Sequence, residues 1–475
     1  MSKNPYRHDR GELRELLQNF QKMRSGKGFS FIEEEGFEQI IEYFTEKEQF
    51  IEALEASEMA ITQFSYSSSL LILKADILIS LRRYEESLFI LEKAELLDWN
   101  DIDLYIVKTD ALLALDKQEE AAYLLEAAIE LFEGEEKIDL LFELTDVYDD
   151  YEKFDKVFDC LKLILEQEPD SEEALYKICF WTDYTGRNEE SIKLHQSILD
   201  INPFSELAWF NLGAAYQGIK LYEKSIDAYQ YSVALNEKFD YAYRNMGDAF
   251  IRLKKYKEAI ESLEKVLELS LPEYVIYEAI GHCYERMQNF AQARFHYKKA
   301  SHLNHEDSQM HYKIATTYMN EGAWQNAIKS LQTALKFHLL QPDYNLALGR
   351  CYLELENYDE AITYLGNVVR IRPKNLSGWI ELLKCLYKGE LFEEGFEYAA
   401  MAYENTDSKL IFVYYKSAFL FAMGQSKQAL IYLENALIVN PRLIKQFIEI
   451  NPSILQNQQV VDLIARYKKN KSSKK

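Results

Sequence analysis

Five of the eight histidines, His282, His296, His302, His305 and His311, fall within thirty residues, the density at which a metal site would be sought. A bound zinc needs three or four donors converging on one point, commonly with carboxylates among or behind them. Acidic partners at ligand spacing are missing, and His282 belongs to a different helix face from His302 and His305. No metal is expected, and the histidines read as polar surface. The five cysteines (Cys160, Cys179, Cys283, Cys351, Cys385) contain no C-x-x-C pair, so neither a disulfide framework nor a zinc module is indicated. Gly26-Lys27-Gly28 lacks the spacing of a phosphate loop, and neither a G-x-S-x-G elbow nor an H-E-x-x-H pair occurs. The sequence thus predicts no enzyme and no cofactor.

The remaining residues able to do chemistry are charged, and they are unevenly placed. The 475 residues carry a net charge of −24, divided as +3 over 1–33, −29 over 34–205 and +2 over 206–475. An acidic first half would repel phosphates, which argues against nucleic acid or an anionic membrane as partner. No run of about 18 apolar residues is present, and MSKNPYRHDRGELRELL has no apolar core of a secretory signal. A cytoplasmic protein is expected.

With 17 Gly and 8 Pro in the whole chain, turns are too sparsely marked for a β fold, and helices are favoured. Self-similarity at a fixed period organises them. AWFNLGAAYQGIKLYEKSIDAYQYSVALNEKFD aligns with YAYRNMGDAFIRLKKYKEAIESLEKVLELSLPE at an offset of 34 without a gap. The register gives blocks starting at 34, 68, 102, 138, 172, 206, 240, 274, 308, 342, 376 and 410, with Glu136 and Lys137 inserted after the third. Numbered within a block, position 20 is small in eleven of twelve and position 8 in ten of twelve, including Gly213, Gly247, Gly281 and Gly349. Position 17 is aromatic in nine, and Pro169, Pro203, Pro373 and Pro441 stand at position 32. Two helices cross closely only where side chains are small, so each block predicts an antiparallel pair, A and B, touching at 8 and 20. Each helix is too short to stand alone in water and must stack on its neighbours.

Trp209, Leu212, Gly213, Tyr216 and Tyr229, with Leu348, Gly349, Tyr352, Ala361 and Pro373, carry the resemblance: the chain resembles a tetratricopeptide repeat (TPR) protein over 34–443. The first four blocks and the last follow its phase more than its motif. The resemblance implies an all-α fold, a right-handed α-α superhelix of about twelve helix-turn-helix repeats with terminal capping helices. Residues 1–33 form a basic segment whose Leu13, Leu16, Leu17 and Phe20 stripe suits a cap. Residues 444–467 supply C-terminal caps, and 468–475 is expected to be a disordered lysine-rich tail.

By the same resemblance, the inner face of the A helices forms a partner-binding groove. Its candidate residues are Glu42, Asp76, Asp110, Asp146, Asp149 and Asp183 on the acidic side, then Asn211, Arg244, Asn245, Asp248, Arg252, His282, Arg286, Lys313, Arg350 and Lys384. Position 9 opens with four acids in a row and later turns basic, a gradient suited to an extended protein or peptide partner. Asn211 and Asn245 occupy position 6 without the preceding Lys–Asn pair of the chaperone co-factor clamp. The first reading is a non-catalytic interaction scaffold. The alternative is an autoregulated sensor whose basic N-terminal segment (Arg10, Arg14, Lys22, Arg24, Lys27) occupies the acidic groove. Partner identity, pathway and oligomeric state are not legible in the sequence.

Overall fold

The computed structural model describes residues 10–25 and 31–472, so Lys27 and the Gly26–Gly28 segment lie outside the described residues. Every regular element among them is a helix, and the fold is all-α. Two compact units are distinguished, Met1–Asn245 and Met246–Lys475, the division falling inside the helix Asp240–Arg252. In each, a helix packs on the one before and the one after it.

In the first unit, Arg10–Arg24 precedes A and B pairs such as Glu34–Glu46 with Phe50–Gln63 and Ser68–Ser80 with Tyr84–Leu97. Later pairs include Glu172–Thr185 with Asn188–Ile201 and Glu206–Gly218 with Tyr222–Leu235. The second unit continues with pairs such as Tyr274–Arg286 with Phe290–Leu303 and Pro342–Glu354 with Tyr358–Ile371. The inserted Glu136 and Lys137 are absorbed at the start of the helix Glu135–Asp150, which begins after Gly134 at φ 65° and runs 16 residues.

The helix ends follow from local chemistry. Ser67, Ser205 and Asn375 each accept a hydrogen bond from the backbone N–H three residues on, at 3.2, 3.2 and 2.9 Å, satisfying a donor the first turn leaves open. Pro203 and Pro373 follow helices B that end at Ile201 and Ile371. Their carbonyls accept the indole N–H of Trp209 (2.9 Å) and Trp379 (2.7 Å), tying the end of one block to the start of the next.

Within a pair, a small residue at position 8 makes room for a large one at position 24. A Cβ on Gly213 would stand 2.6 Å from the Tyr229 ring, and one on Gly349 would stand 2.4 Å from Leu365. Tyr229 and Leu365 are themselves fully buried. At two contact positions a serine bonds across the pair: Ser87 donates to the Ala75 carbonyl at 2.9 Å and Ser417 to that of Ala429 at 2.8 Å.

The A-to-B turn is equally regular. Position 15 has φ between 54° and 75° in all twelve blocks, yet only Gly186, Gly322 and Gly424 are glycines there. The others include Glu48, Arg82, Lys220, Glu356 and Glu390. The next residue donates back five positions, as Arg83 does to Leu78 and Leu221 to Tyr216, closing the helix with a left-handed cap.

The terminal elements pack as covers. Phe20 is buried beside Ile32, Phe37 and Phe44, with Leu16 and Leu17 against the same cluster. At the other end, Phe447, Ile454, Val460 and Ile464 close over Leu433 and Leu437. The last helix, Gln458–Ser472, extends into the segment expected to be disordered, because nothing in its lysine-rich backbone breaks the helix before Ser472.

Candidate functional site: the A-helix face

A helices of successive blocks lie beside one another, as Ser69 shows by donating to the Glu38 carboxylate of the preceding A helix at 2.9 Å. In the first unit the exposed side of these helices is dominated by carboxylates. Glu38, Glu42, Glu46, Asp76, Asp101 and Asp103 line a cleft of about 650 Å3 whose apolar floor includes Ile41, Ile72 and Leu73. Neither lysine nor arginine lines it.

Burial pushes the Asp76 carboxyl above the usual carboxylate range. Burial also raises Asp110, with Asp76 adding to the effect, and raises Glu143, with Asp110 and Asp146 adding to it. Asp149 rises through burial and its neighbours Asp150 and Asp146. Burial is the larger cause throughout, and at Asp110, Glu143 and Asp149 the neighbouring acids add a negative field that the fold does not fully neutralise. Lys177 is the cation placed among them, 3.3 Å from Asp146 and 2.9 Å from Glu173. Glu42, Asp110, Asp146, Asp149 and Asp183 are exposed, and Asp76 is half-buried.

The second unit departs from the expected basic face. Lys313 pairs with Glu278 of the preceding A helix. Glu381 takes both Arg350 at 3.5 Å and Lys384 at 3.7 Å, and Arg252 meets Asp248 at 3.5 Å. Arg286 donates to the Tyr256 hydroxyl at 3.2 Å. Glutamates at positions 5 and 6 thus answer several of the bases, which position 9 alone does not reveal. His282 is exposed, and burial of its ring lowers its pKa. Arg244 and Asn245 are half-buried at the end of the first unit.

Asn211 is not a groove residue. It is buried, and its Nδ2 donates to the Leu175 carbonyl at 2.7 Å and approaches His195 Nε2 at 3.2 Å. His296 also departs from the polar-surface reading: it is buried, stacks on Tyr284 at 5.4 Å, and its Nδ1 has no partner. Among the described residues no group of three or more His, Cys, Asp or Glu could hold a metal ion. Cys283, Cys351 and Cys385 are fully buried, and burial pushes their thiols up to about 12, 12 and 11. Thiols in that state are packing residues, not nucleophiles.

The basic N-terminal helix packs away from the acidic cleft where its side chains are described. Leu16 lies against Gly36, and Arg24 pairs with Glu55 on a B helix at 2.7 Å. Among the described residues no helix is long and apolar enough to cross a membrane.

The geometry defines a protein built from repeated helix hairpins that offers a charged surface. A tetratricopeptide repeat family profile matches 68–99 and 342–375, and a profile for the C-terminal ARM domain of tetratricopeptide repeat protein 21 matches 217–347. Over these segments the chain carries tetratricopeptide-type repeats. Proteins of this family are in general non-catalytic scaffolds for protein–protein interaction. No curated protein sequence matches the chain.

Among solved structures, the C-terminal part of a TPR repeat-containing protein from Cytophaga hutchinsonii is similar at 15% identity, covering 54% of this chain and 99% of that one with a TM-score of 0.44. YrrB, described as a TPR protein with an unusual peptide-binding site, shares 18% identity over 39% of this chain and 95% of its own, with a TM-score of 0.35. The APC/C hetero-tetramer Cut9-Hcn1 covers 87% and 99% at 12% identity, with a TM-score of 0.33.

Proposed function

We propose that this chain is a scaffold that binds a basic segment of another protein along the acidic A-helix face of its first unit. The observation that carries the reading is the cleft walled by Glu38, Glu42, Glu46, Asp76, Asp101 and Asp103 without a lysine or arginine in its lining, together with Asp110 and Glu143, whose carboxyls burial and then neighbouring acids raise. A folded chain gains nothing from such a field, whereas a cationic partner gains on-rate and orientation from it. An acidic partner segment opposite the second unit has less support, because Lys313, Arg350 and Lys384 are already paired. The regulated-sensor alternative is likewise weaker, since Arg24 is engaged by Glu55.

The test is capture of defined basic peptides at low and high salt, with Asp76, Asp110 and Asp146 changed together to Asn. Binding should fall with ionic strength and fall again in the triple variant. Binding indifferent to both would defeat the proposal.

A further inference from the structure

On the helix Glu172–Thr185, Tyr176, Phe180 and Tyr184 stand four residues apart and are 61%, 61% and 59% exposed. Steps of four put the rings on one helix face, about 6 Å apart along the axis. Phe180 and Tyr184 are held from behind. Phe180 stacks on Tyr184 at 6.0 Å and meets the buried Trp181 edge-on at 4.9 Å. Trp181 stacks in turn on Phe154 at 5.2 Å, and Tyr184 meets Phe154 edge-on at 4.8 Å. This is a preorganised aromatic shelf left open to solvent.

Exposed carboxylates lie on the same and the preceding A helix: Asp183 on the former, Asp146 and Asp149 on the latter, with Asp146 reached from the shelf's helix by Lys177 at 3.3 Å. The same surface already holds a cation by this combination of groups. Lys177 places its Nζ between Asp146 and Glu173 and 5.4 Å over the Phe142 ring.

We infer that the shelf docks arginine side chains of an extended basic peptide, the guanidinium lying flat on Tyr176 or Phe180 while these carboxylates accept its N–H groups. The inference rests on the basic-segment reading above and narrows it. Guanidinium is the cation that fits, because it is planar and weakly hydrated and stacks on rings while still donating in its plane. A compact ammonium keeps more of its water and gains less from the rings. A purely apolar peptide would cover the rings but would strip water from the carboxylates without pairing them.

The test uses the full chain and labelled peptides of alternating Arg–Ser, Lys–Ser and Leu–Ser in fluorescence anisotropy at about 150 mM salt. Arg–Ser should bind tightest, and Tyr176→Ala with Phe180→Ala should weaken it about five-fold or more while changing no charge. Tyr176→Leu with Phe180→Leu keeps bulk on the helix and should show the same loss, which separates recognition from folding. Unchanged Arg–Ser affinity in the leucine pair, or Leu–Ser binding as tightly as Arg–Ser, would overturn the shelf. In that event, loss of Arg–Ser binding on Asp76→Asn with Asp110→Asn would leave the acidic-face proposal standing. Failure of every basic peptide to bind the unmodified chain would end both.

Discussion

Asn211 holds His195 in a single protonation state. Asn211 Nδ2 meets His195 Nε2 at 3.2 Å while giving its other hydrogen to the Leu175 carbonyl at 2.7 Å. His195 Nδ1 lies 2.7 Å from the Ser191 carbonyl, which can only accept. The imidazole must therefore carry its proton on Nδ1 and keep a lone pair on Nε2. A second proton would aim one N–H at another inside a fully buried site.

Burial accordingly lowers His195 to about 4, from an ordinary value near 6.5. The unfolded chain takes up this proton first, so stability is full above about pH 6.5 and declines as pH falls toward about 4. Thermal melts over that range should show the decline. Replacing His195 with Leu, the commonest residue at position 24, should flatten its share of the pH dependence, and an unaltered slope would refute the assignment. His296, also lowered to about 4, contributes over the same window and is the control to change in parallel.

Gly213→Ala should destabilise the first unit by about 1–3 kcal/mol, since the new methyl meets a fully buried tyrosine ring with no free space to enter. Denaturant unfolding would measure it. Pairing the change with Tyr229→Leu should recover part of the loss. Failure to recover would mean the ring is not what the methyl strikes.

Left-handed turns offer gains in the opposite direction. Lys220 and Glu390 sit at φ 64° and 59°, where a side chain costs about 1 kcal/mol that glycine avoids. Lys220→Gly and Glu390→Gly should each raise the melting temperature, and the reverse change at Gly424 (φ 75°) to Ala should lower it. A fall on adding glycine would show that the side chain gains more from its surroundings than its backbone loses.

Asp110→Asn should separate stability from binding. The folded chain raises this carboxyl through burial and Asp76, so the charged form at neutral pH opposes folding. Removing the charge should stabilise by a few tenths of a kcal/mol, about what a solvent-screened surface interaction yields. The same change should weaken capture of a basic peptide. Loss of stability instead would mean that Asp110 is a structural residue.

The periodicity was legible because close helix approach leaves no alternative to small residues: Gly213, Gly281 and Gly349 each face a buried side chain that a Cβ would strike. The all-α class followed from it. Less visible were features whose physics lies across blocks or in the backbone. Asn211 sits at a position read as groove, and only the approach of Leu175 and His195 reveals it as buried. The bases of the second unit looked free because Glu278 and Glu381, at other positions of adjoining helices, do not share their phase. The turns at Glu48 and Arg82 carried no glycine to betray a positive φ. The aromatic shelf could have been found, since Phe180 breaks the run of acids at position 9 and has Tyr176 and Tyr184 four residues to either side.

The hole at position 8 and the side chain that fills it come in two matched kinds, glycine with tyrosine at Gly213 and Gly281, glycine with leucine at Gly247 and Gly349. Each couple forms within one hairpin, yet its large side chain also joins the core of the next, as Tyr297 does with Met310 and Ile314 and Leu365 with Trp379 and Leu382. Exchanging tyrosine for leucine in one hairpin would therefore be felt in the next, and would also forfeit the hydroxyl bonds of Tyr229 to Gln217 and Tyr297 to Glu285. The exposed carboxylates of the A-helix face, by contrast, touch neither couple and can drift by themselves.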